Sequence, residues 1–292
     1  MSAKTLQQRL NKVCRYIDDN LEYPLRLEQL ARIAHCSPYH FQRQFKAHIG
    51  LNPAQYVQNK RLRRAMLQLA NRPSLKVTDI AFEAGFDFVE SFSHSFKRRF
   101  GVTPTEFRHQ PNWDLWNDFI EQGAPKRMAI PDTTQHDVSV VDFPETQVAA
   151  LEHHGSPSKI MESVETFIEW RRANGVLPPE SKTYNIFYND PEATAPDEFH
   201  MDICCTTDKP IKSNPQGVIH KTIAASSCAK IRFQGTEDQL RGVMDYLYGE
   251  WLEQSDYELV DKPPFFERVE FFPDRKEHEA VTDVYLPVRL RT

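Results

Sequence analysis

Apolar residues recur every three or four positions through the first hundred residues, which predicts a nearly continuous succession of helices. Thr5 to Asn20 carries Leu6, Leu10, Val13 and Ile17 at that spacing, followed by Leu21 and closed by Pro24. Leu27 to Ala34 and Pro38 to His48 form a short pair around a tight turn. A long helix follows from Ala54 to Leu69, with Asn52 as its N-cap and Pro53 at the first helical position. Thr78 to Ala84 and Val89 to Phe100 repeat the short pair, and Thr103-Pro104 opens a last short helix. Each pair has small residues in its first helix and a basic end on its second, which is the pattern of a helix-turn-helix. Phe41, Phe45, Phe92 and Phe96 lie on the packing side of the second helices and read as core.

The pattern changes at 111–136, where Pro111, Pro125 and Pro131 punctuate a mixed stretch with Trp113 and Trp116. This segment reads as a linker that partly packs on a domain surface. From Asp137 onward, runs of strand character appear, and the chain repeats itself. Strands are predicted at Val148–His153, Thr183–Tyr188, Phe199–Cys205, Cys228–Phe233, Phe265–Phe272 and Val281–Leu290. Helices follow Gly155 and Gly235, and both Trp170/Trp251 and Asp202/Asp283 lie 81 residues apart. The expected architecture is an all-α N-terminal domain with two helix-turn-helix lobes (1–110), the linker (111–136), and an α+β domain of two β-α-β-β repeats (137–292). The repeats imply a pseudo-twofold with helices on one side of the strands and a ligand crevice between the halves.

Charge divides the chain in the same place. The net charge of −5 conceals 18 Lys+Arg against 9 Asp+Glu in residues 1–112, and 18 against 32 in the remainder. A basic front half suits a polyanion. Five scattered cysteines form no CxxC pair and read as small buried residues in a reducing compartment. Met1 to Asn11 is polar, unlike a signal peptide, and no apolar run is long enough to cross a bilayer, so the expected location is the cytoplasm, with no membrane partner. No cofactor is expected. His153-His154 suggests a metal, but neighbours on a strand point to opposite faces and cannot easily share one ion.

The motifs LARIAHCSPYHFQRQFK and IAFEAGF followed by SFSHSFKRRFGVTPTEFR make the first 105 or so residues resemble the DNA-binding region of the AraC/XylS family of bacterial transcription regulators. The resemblance implies two recognition helices joined by the Ala54–Leu69 helix, entering successive major grooves roughly 34 Å apart. A monomer would then cover an asymmetric site on double-stranded DNA, bending it. Base contacts are expected from Tyr39, Gln42 and Arg43 in the first helix, and from Val89, Glu90, Ser93 and His94 in the second. Glu90 is tolerable near DNA where it accepts from a cytosine amino group. Lys46, Lys60, Lys97 and Arg98 are expected on phosphates. The KRLRRA run puts Lys60, Arg61, Arg63 and Arg64 on a mostly exposed surface, and the three arginines are open between phosphate contact, ion pairing and solvent. His35 holds a turn position where glycine is common, and histidine tolerates the left-handed conformation.

The rear repeats, ending in TDVYLPVRL, resemble the GyrI-like effector-binding domain. The DNA-binding region comes first, as in Rob-type members of the AraC family. The resemblance implies a regulator, an activator that meets RNA polymerase, with a small-molecule effector in the rear domain. It places Asp283, four residues before Pro287, in the crevice as the acid that attracts a cationic aromatic ligand. Tyr184, Tyr188, Trp251, Phe266 and Tyr285 are candidate walls and Glu267 a second carboxylate. Two alternatives stand beside this: a hydrolase of reactive compounds using Asp283 or Glu267 as base, and a module that only sequesters toxic molecules.

Overall fold

The computed structural model describes residues 3–116, 119, 136–191, 193–271, 275 and 277–291. It divides into two compact units, Met1–Asp132 and Thr133–Thr292. Most of the predicted linker lies outside the described residues. Its first part is helical at 113–116 and 119, with Trp113, Trp116 and Phe119 buried. Phe119 meets Phe100, so this end packs on the helical unit.

The first unit contains α1 (Ala3–Asp19), α2 (Leu27–Ile33), α3 (Pro38–Ile49), α4 (Pro53–Asn71), α5 (Val77–Glu83), α6 (Val89–Phe100) and α7 (Pro104–His109). The caps explain these boundaries. Asn52 Oδ1 accepts from Gln55 N at 2.9 Å while Gln55 reaches back to Asn52 N, and Thr103 and Glu106 repeat this box on α7. Gly50 and Gly101 end α3 and α6 in left-handed conformations. In the first lobe Leu10, Val13 and Ile17 of α1 pack with Leu30, Phe41 and Phe45. In the second, Phe92, Phe96, Phe100 and Phe107 stack edge to face or tilted.

The two helix-turn-helix turns solve one backbone problem differently. His35 adopts φ 52° and Gly85 φ 73°, a conformation that histidine tolerates. Gly85 has a further reason to lack a side chain. A Cβ there would sit 2.2 Å from the Leu21 carbonyl and 2.7 Å from the Arg61 guanidinium.

Among the described residues, the second unit is a nine-stranded antiparallel sheet. Its strands are β1 (Ser139–Phe143), β2 (Thr146–His154), β3 (Thr183–Phe187), β4 (His200–Thr206), β5 (Ile219–Ile223), β6 (Ser226–Gln234), β7 (Tyr257–Leu259), β8 (Phe265–Glu270) and β9 (Val281–Leu290). The order is β1-β6-β9-β8-β3-β4-β2-β5, with β7 added on β9. Exchanging β1 with β5, β6 with β2, β9 with β4 and β8 with β3 reverses that order onto itself, so the pseudo-dyad runs between β8 and β3. Three strands were not predicted: β7, only three residues long, and β1 and β5, which expose every residue but one or two. The last two each cross to the other repeat, β1 onto β6 and β5 onto β2.

Helices α8 (Ile160–Asn174) and α9 (Glu237–Tyr246) cover one face. Phe167 and Trp170 pack on Ala149, Leu151 and Ile203, while Leu240 and Val243 pack on Ala229, Ile231 and Val284. The other face is curled. Phe143 on β1 and Tyr184 on β3 are four strand spacings apart, about 19 Å in a flat sheet, yet their ring centroids are 6.0 Å apart. The sheet therefore closes into a half-barrel, and among the described residues its concave face carries no helix.

Gly85→Ala is expected to destabilise the helical unit by about 2 kcal/mol or more, through strain at positive φ and collision with Leu21. His35→Gly is expected to be neutral or stabilising by up to about 1 kcal/mol. Urea unfolding of both variants checks the pair, and a Gly85→Ala variant as stable as wild type would contradict the close approach.

Candidate DNA-reading helices and ligand crevice

Helices α3 and α6 bury one face each: Phe41, Phe45 and Ile49 on α3, and Phe92, Phe96 and Phe100 on α6. That four-residue spacing leaves the opposite faces to solvent. Tyr39, Gln42, Arg43 and Lys46 are exposed on α3, and Glu90, His94, Lys97 and Arg98 on α6. Val89 and Ser93 are half-buried at the start of α6. Arg43 Nη1 donates to Tyr39 Oη at 2.7 Å, so the two outermost side chains of α3 hold each other.

Lys60 departs from expectation. It is 8% exposed, with Nζ 3.2 Å from Asp18 of α1, and it faces the core of the first lobe. Its neighbours are also engaged within the fold. Arg61 donates to the carbonyls of Leu21 and Tyr23, both at 2.9 Å. Arg63 lies over the Trp116 ring, and buried Arg64 approaches Glu22 at 3.8 Å. At the far end of α4, Gln68 bonds Glu83 of α5. The basic run thus ties α4 into both lobes. Sequence periodicity missed this because the acceptors, Asp18, Glu22 and the Leu21 carbonyl, lie about 40 residues away.

On the concave face of the sheet, register aligns side chains in rows across the strands. One row reads Ala150, Cys204, Tyr184, Glu267, Asp283 and Arg232. The next reads Glu152, Asp202, Ile186, Phe265, Tyr285 and Lys230. Phe143 closes over the centre, with its ring 4.7 Å from Phe265 and 5.2 Å from Tyr285. Tyr184, Tyr188, Glu267, Asp283 and Tyr285 therefore share this face. Phe266 and Trp251 do not. Phe266 points into the helix-covered core beside Phe187, because neighbours along a strand alternate faces, and Trp251, on the helical segment after α9, stacks on Tyr257 there.

Asp283 is not an open carboxylate. It is 1% exposed and is gripped by Arg232, Nε at 2.7 Å and Nη2 at 2.8 Å, with Lys230 Nζ at 2.8 Å. Burial works against its charge, but the bonds from Arg232 and Lys230 outweigh it and hold the carboxyl below its ordinary value. Lys230 also stands over the Tyr285 ring at 5.3 Å. Glu267 is bound by Lys182 at 2.8 Å and accepts from Tyr285 Oη at 3.2 Å. Burial first, and then Glu267, push the Tyr184 and Tyr285 phenols up. The strand CAKIRF carried the missing signal, since its alternation puts Lys230 and Arg232 on the face of Asp283.

At the dyad-related position sits Asp202, fully buried, accepting from Tyr188 Oη and Lys221 Nζ, both at 2.7 Å. Lys221 also reaches Glu152 at 2.6 Å, and that hydrogen bond keeps Glu152 below its usual range. Tyr188, His200 and His154 form a continuous ring stack beside them. A cavity lined by Trp170, Val176, Lys209 and Ile211 lies on the helix side and contains none of the expected residues.

Three depressed carboxyls, Asp283, Glu152 and the capping Glu106, give an acid response of one sign. The unfolded chain binds more protons at all three, so their stabilisation is complete above the unfolded value near pH 4 and fades as pH drops through the lower folded values. Denaturant unfolding between about pH 6 and pH 3 should show stability falling with acidity, and Asp283→Asn should flatten part of that slope. An unaltered slope would mean Asp283 titrates alike in both states.

Comparison with known proteins gives this geometry its context. A family model described as a GyrI-like small molecule binding domain matches residues 136–289, and one described as a helix-turn-helix domain matches residues 30–110. The probable transcriptional regulator YgiV of Escherichia coli K12 is 33% identical over 153 residues, 52% of this chain and 96% of YgiV. The Right origin-binding protein of the same organism is 35% identical over 103 residues, 35% of each chain. A crystal structure of an AraC-type transcriptional regulator from Chromobacterium violaceum is 28% identical, covers 36% of this chain and 96% of that one, and has a TM-score of 0.33. The chain belongs to the GyrI-like small-molecule-binding family, and it is a transcription regulator that carries an AraC-type helix-turn-helix DNA-binding region ahead of that domain.

Proposed function

We propose that α3 and α6 read neighbouring major grooves of one duplex, and that a small molecule on the concave face of the half-barrel changes promoter occupancy. The observation that carries the DNA reading is the division of labour among cations. Those of α4 are spent inside the fold, while Arg43, Lys46, Lys97 and Arg98 stand exposed on the two helices. In this reading Tyr39, Gln42 and Arg43 contact bases from α3, as do Val89, Glu90, Ser93 and His94 from α6. Lys46, Lys97 and Arg98 hold phosphates. Activation through contact with RNA polymerase, by a monomer on the DNA, completes the proposal.

The ligand reading rests on the aromatic centre formed by Phe143, Tyr184, Phe265 and Tyr285, rimmed by Glu267 and Asp283. A flat aromatic molecule enters it by displacing Phe143, whose ring covers Phe265 and Tyr285. A cation reaches Asp283 only by breaking the bidentate Arg232 pair, so the charge of the ligand is set by the whole rim rather than by one acid. The same pairing weakens the hydrolase alternative, which needs a free base, whereas Glu267 and Asp283 are both ion-paired.

Three substitutions separate the roles. Arg43→Ala should weaken specific binding by roughly 1–3 kcal/mol and relax the preference at one base pair; equal loss on every sequence would assign Arg43 to phosphate. Lys97→Ala should lower the slope of log affinity against log salt by about 1. Lys60→Met should leave that slope alone but cost about 3–5 kcal/mol of stability, because Asp18 stays buried without its cation. Gel shifts over a salt series and urea unfolding read all three. Promoter occupancy measured with and without bound compound distinguishes a regulator from a sequestering module.

A further inference from the structure

The end of the concave face around Asp202 has a different chemistry from the end around Asp283. Glu267 and Asp283 face three cations, Lys182, Lys230 and Arg232. Asp202 and Glu152 share one, Lys221. That lysine uses Asp202 Oδ2 and Glu152 Oε1, which leaves Asp202 Oδ1 and Glu152 Oε2 for other partners. Asp202 Oδ1 is buried with no hydrogen bond, and so is His200 Nε2, 3.6 Å from it. Two buried polar atoms facing each other without a bond are a cost the fold does not otherwise explain.

The imidazoles next to them come from two strands. His154 and His200 are directly opposed across the β2–β4 pair, with centroids 4.0 Å apart and planes at 15°. Glu152 precedes His154 by two residues and so shares its face. One ligand atom from each of Glu152, His154 and His200 lies within 4.8 Å of the others. His153 takes no part, since it points to the helix side and meets Ser163 Oγ at 2.8 Å. Adjacent histidines cannot share an ion, but cross-strand pairing supplies the second imidazole from 46 positions along the chain.

We propose that Glu152, His154 and His200 bind a divalent transition metal, zinc or a close neighbour, with Asp202 orienting His200 from behind. A proton on His200 Nε2 directed at Asp202 Oδ1 leaves the other ring nitrogen with its lone pair for the metal, a carboxylate–histidine–metal arrangement. Metal–ligand bonds of about 2.0–2.2 Å put neighbouring ligand atoms of a tetrahedral centre roughly 3.4 Å apart. His154 Nε2 and Glu152 Oε2 already stand 3.8 Å apart. Binding turns His154 towards Glu152, and its 61% exposed side chain has room to do so. Three protein ligands leave a fourth position open to water or to a ligand atom. This inference stands on the cluster alone and does not depend on the effector reading.

The test is titration of the full-length chain with Zn2+ by calorimetry, with Co2+ absorption reporting geometry. One site per chain is expected, giving a tetrahedral Co2+ spectrum that zinc abolishes. His154→Ala and His200→Ala should each weaken it at least tenfold, and Glu152→Gln should weaken it too. His220→Ala, an exposed histidine outside the cluster, should not. Zinc should raise the melting temperature of wild type and His220→Ala, and not that of the cluster variants, whose fold is checked by circular dichroism. The proposal is overturned if wild type binds no more tightly than His154→Ala and His200→Ala, or if His220→Ala loses as much.

Discussion

Four cations within five residues ordinarily keep a helix face in water, yet in α4 they hold the DNA-reading unit together. Lys60 is neutralised by Asp18 of α1, Arg61 bonds two carbonyls at the end of the first lobe, and Gln68 meets Glu83 in the second. Gly85 brings the turn of the second lobe against Leu21 and Arg61, where a side chain has no room. The seat of α4 against the first lobe therefore depends on a buried charge pair, Lys60–Asp18, whose separation leaves an uncompensated ion. The exposed cations Arg43, Lys46, Lys97 and Arg98 sit instead on α3 and α6.

The rear unit depends on curvature. Phe143 and Ile223 occupy equivalent ends of the edge strands β1 and β5, and both join the aromatic cluster on the concave face. Each edge strand is lent to the opposite repeat, so the halves are interlocked by hydrogen bonds as well as by the β3–β8 pair at the dyad. The helices take the convex face, and the polar chemistry is left to the concave one.

Much of this was legible in the sequence, and the failures share a cause. Helix spans, the Asn52 cap, the turn at His35 and the duplicated aspartates all follow from local spacing. Strand parity alone separates Tyr184, Tyr188, Glu267, Asp283 and Tyr285 from Phe266. What spacing cannot give is the partner. The burial of Lys60, the Arg232 grip on Asp283 and the opposition of His154 to His200 each join segments about 40 to 50 residues apart. The short strands β1 and β5 escaped because an edge strand with one buried residue has almost no alternation to detect.

Duplication makes the two aspartates a natural internal comparison. Asp202 and Asp283 occupy equivalent positions, and both are buried in the same sheet. Their neighbours have diverged: Glu152 stands where the other half has Arg232, Ala150 where it has Lys230, and Ile186 where it has Glu267. One carboxylate is consequently saturated by protein cations, while the other keeps an unused oxygen beside two imidazoles. A buried acid is defined by what lies across the strands from it. The same scaffold position thus serves as a closed ion pair in one half, while in the other one oxygen holds Lys221 and Tyr188 and the second faces His200.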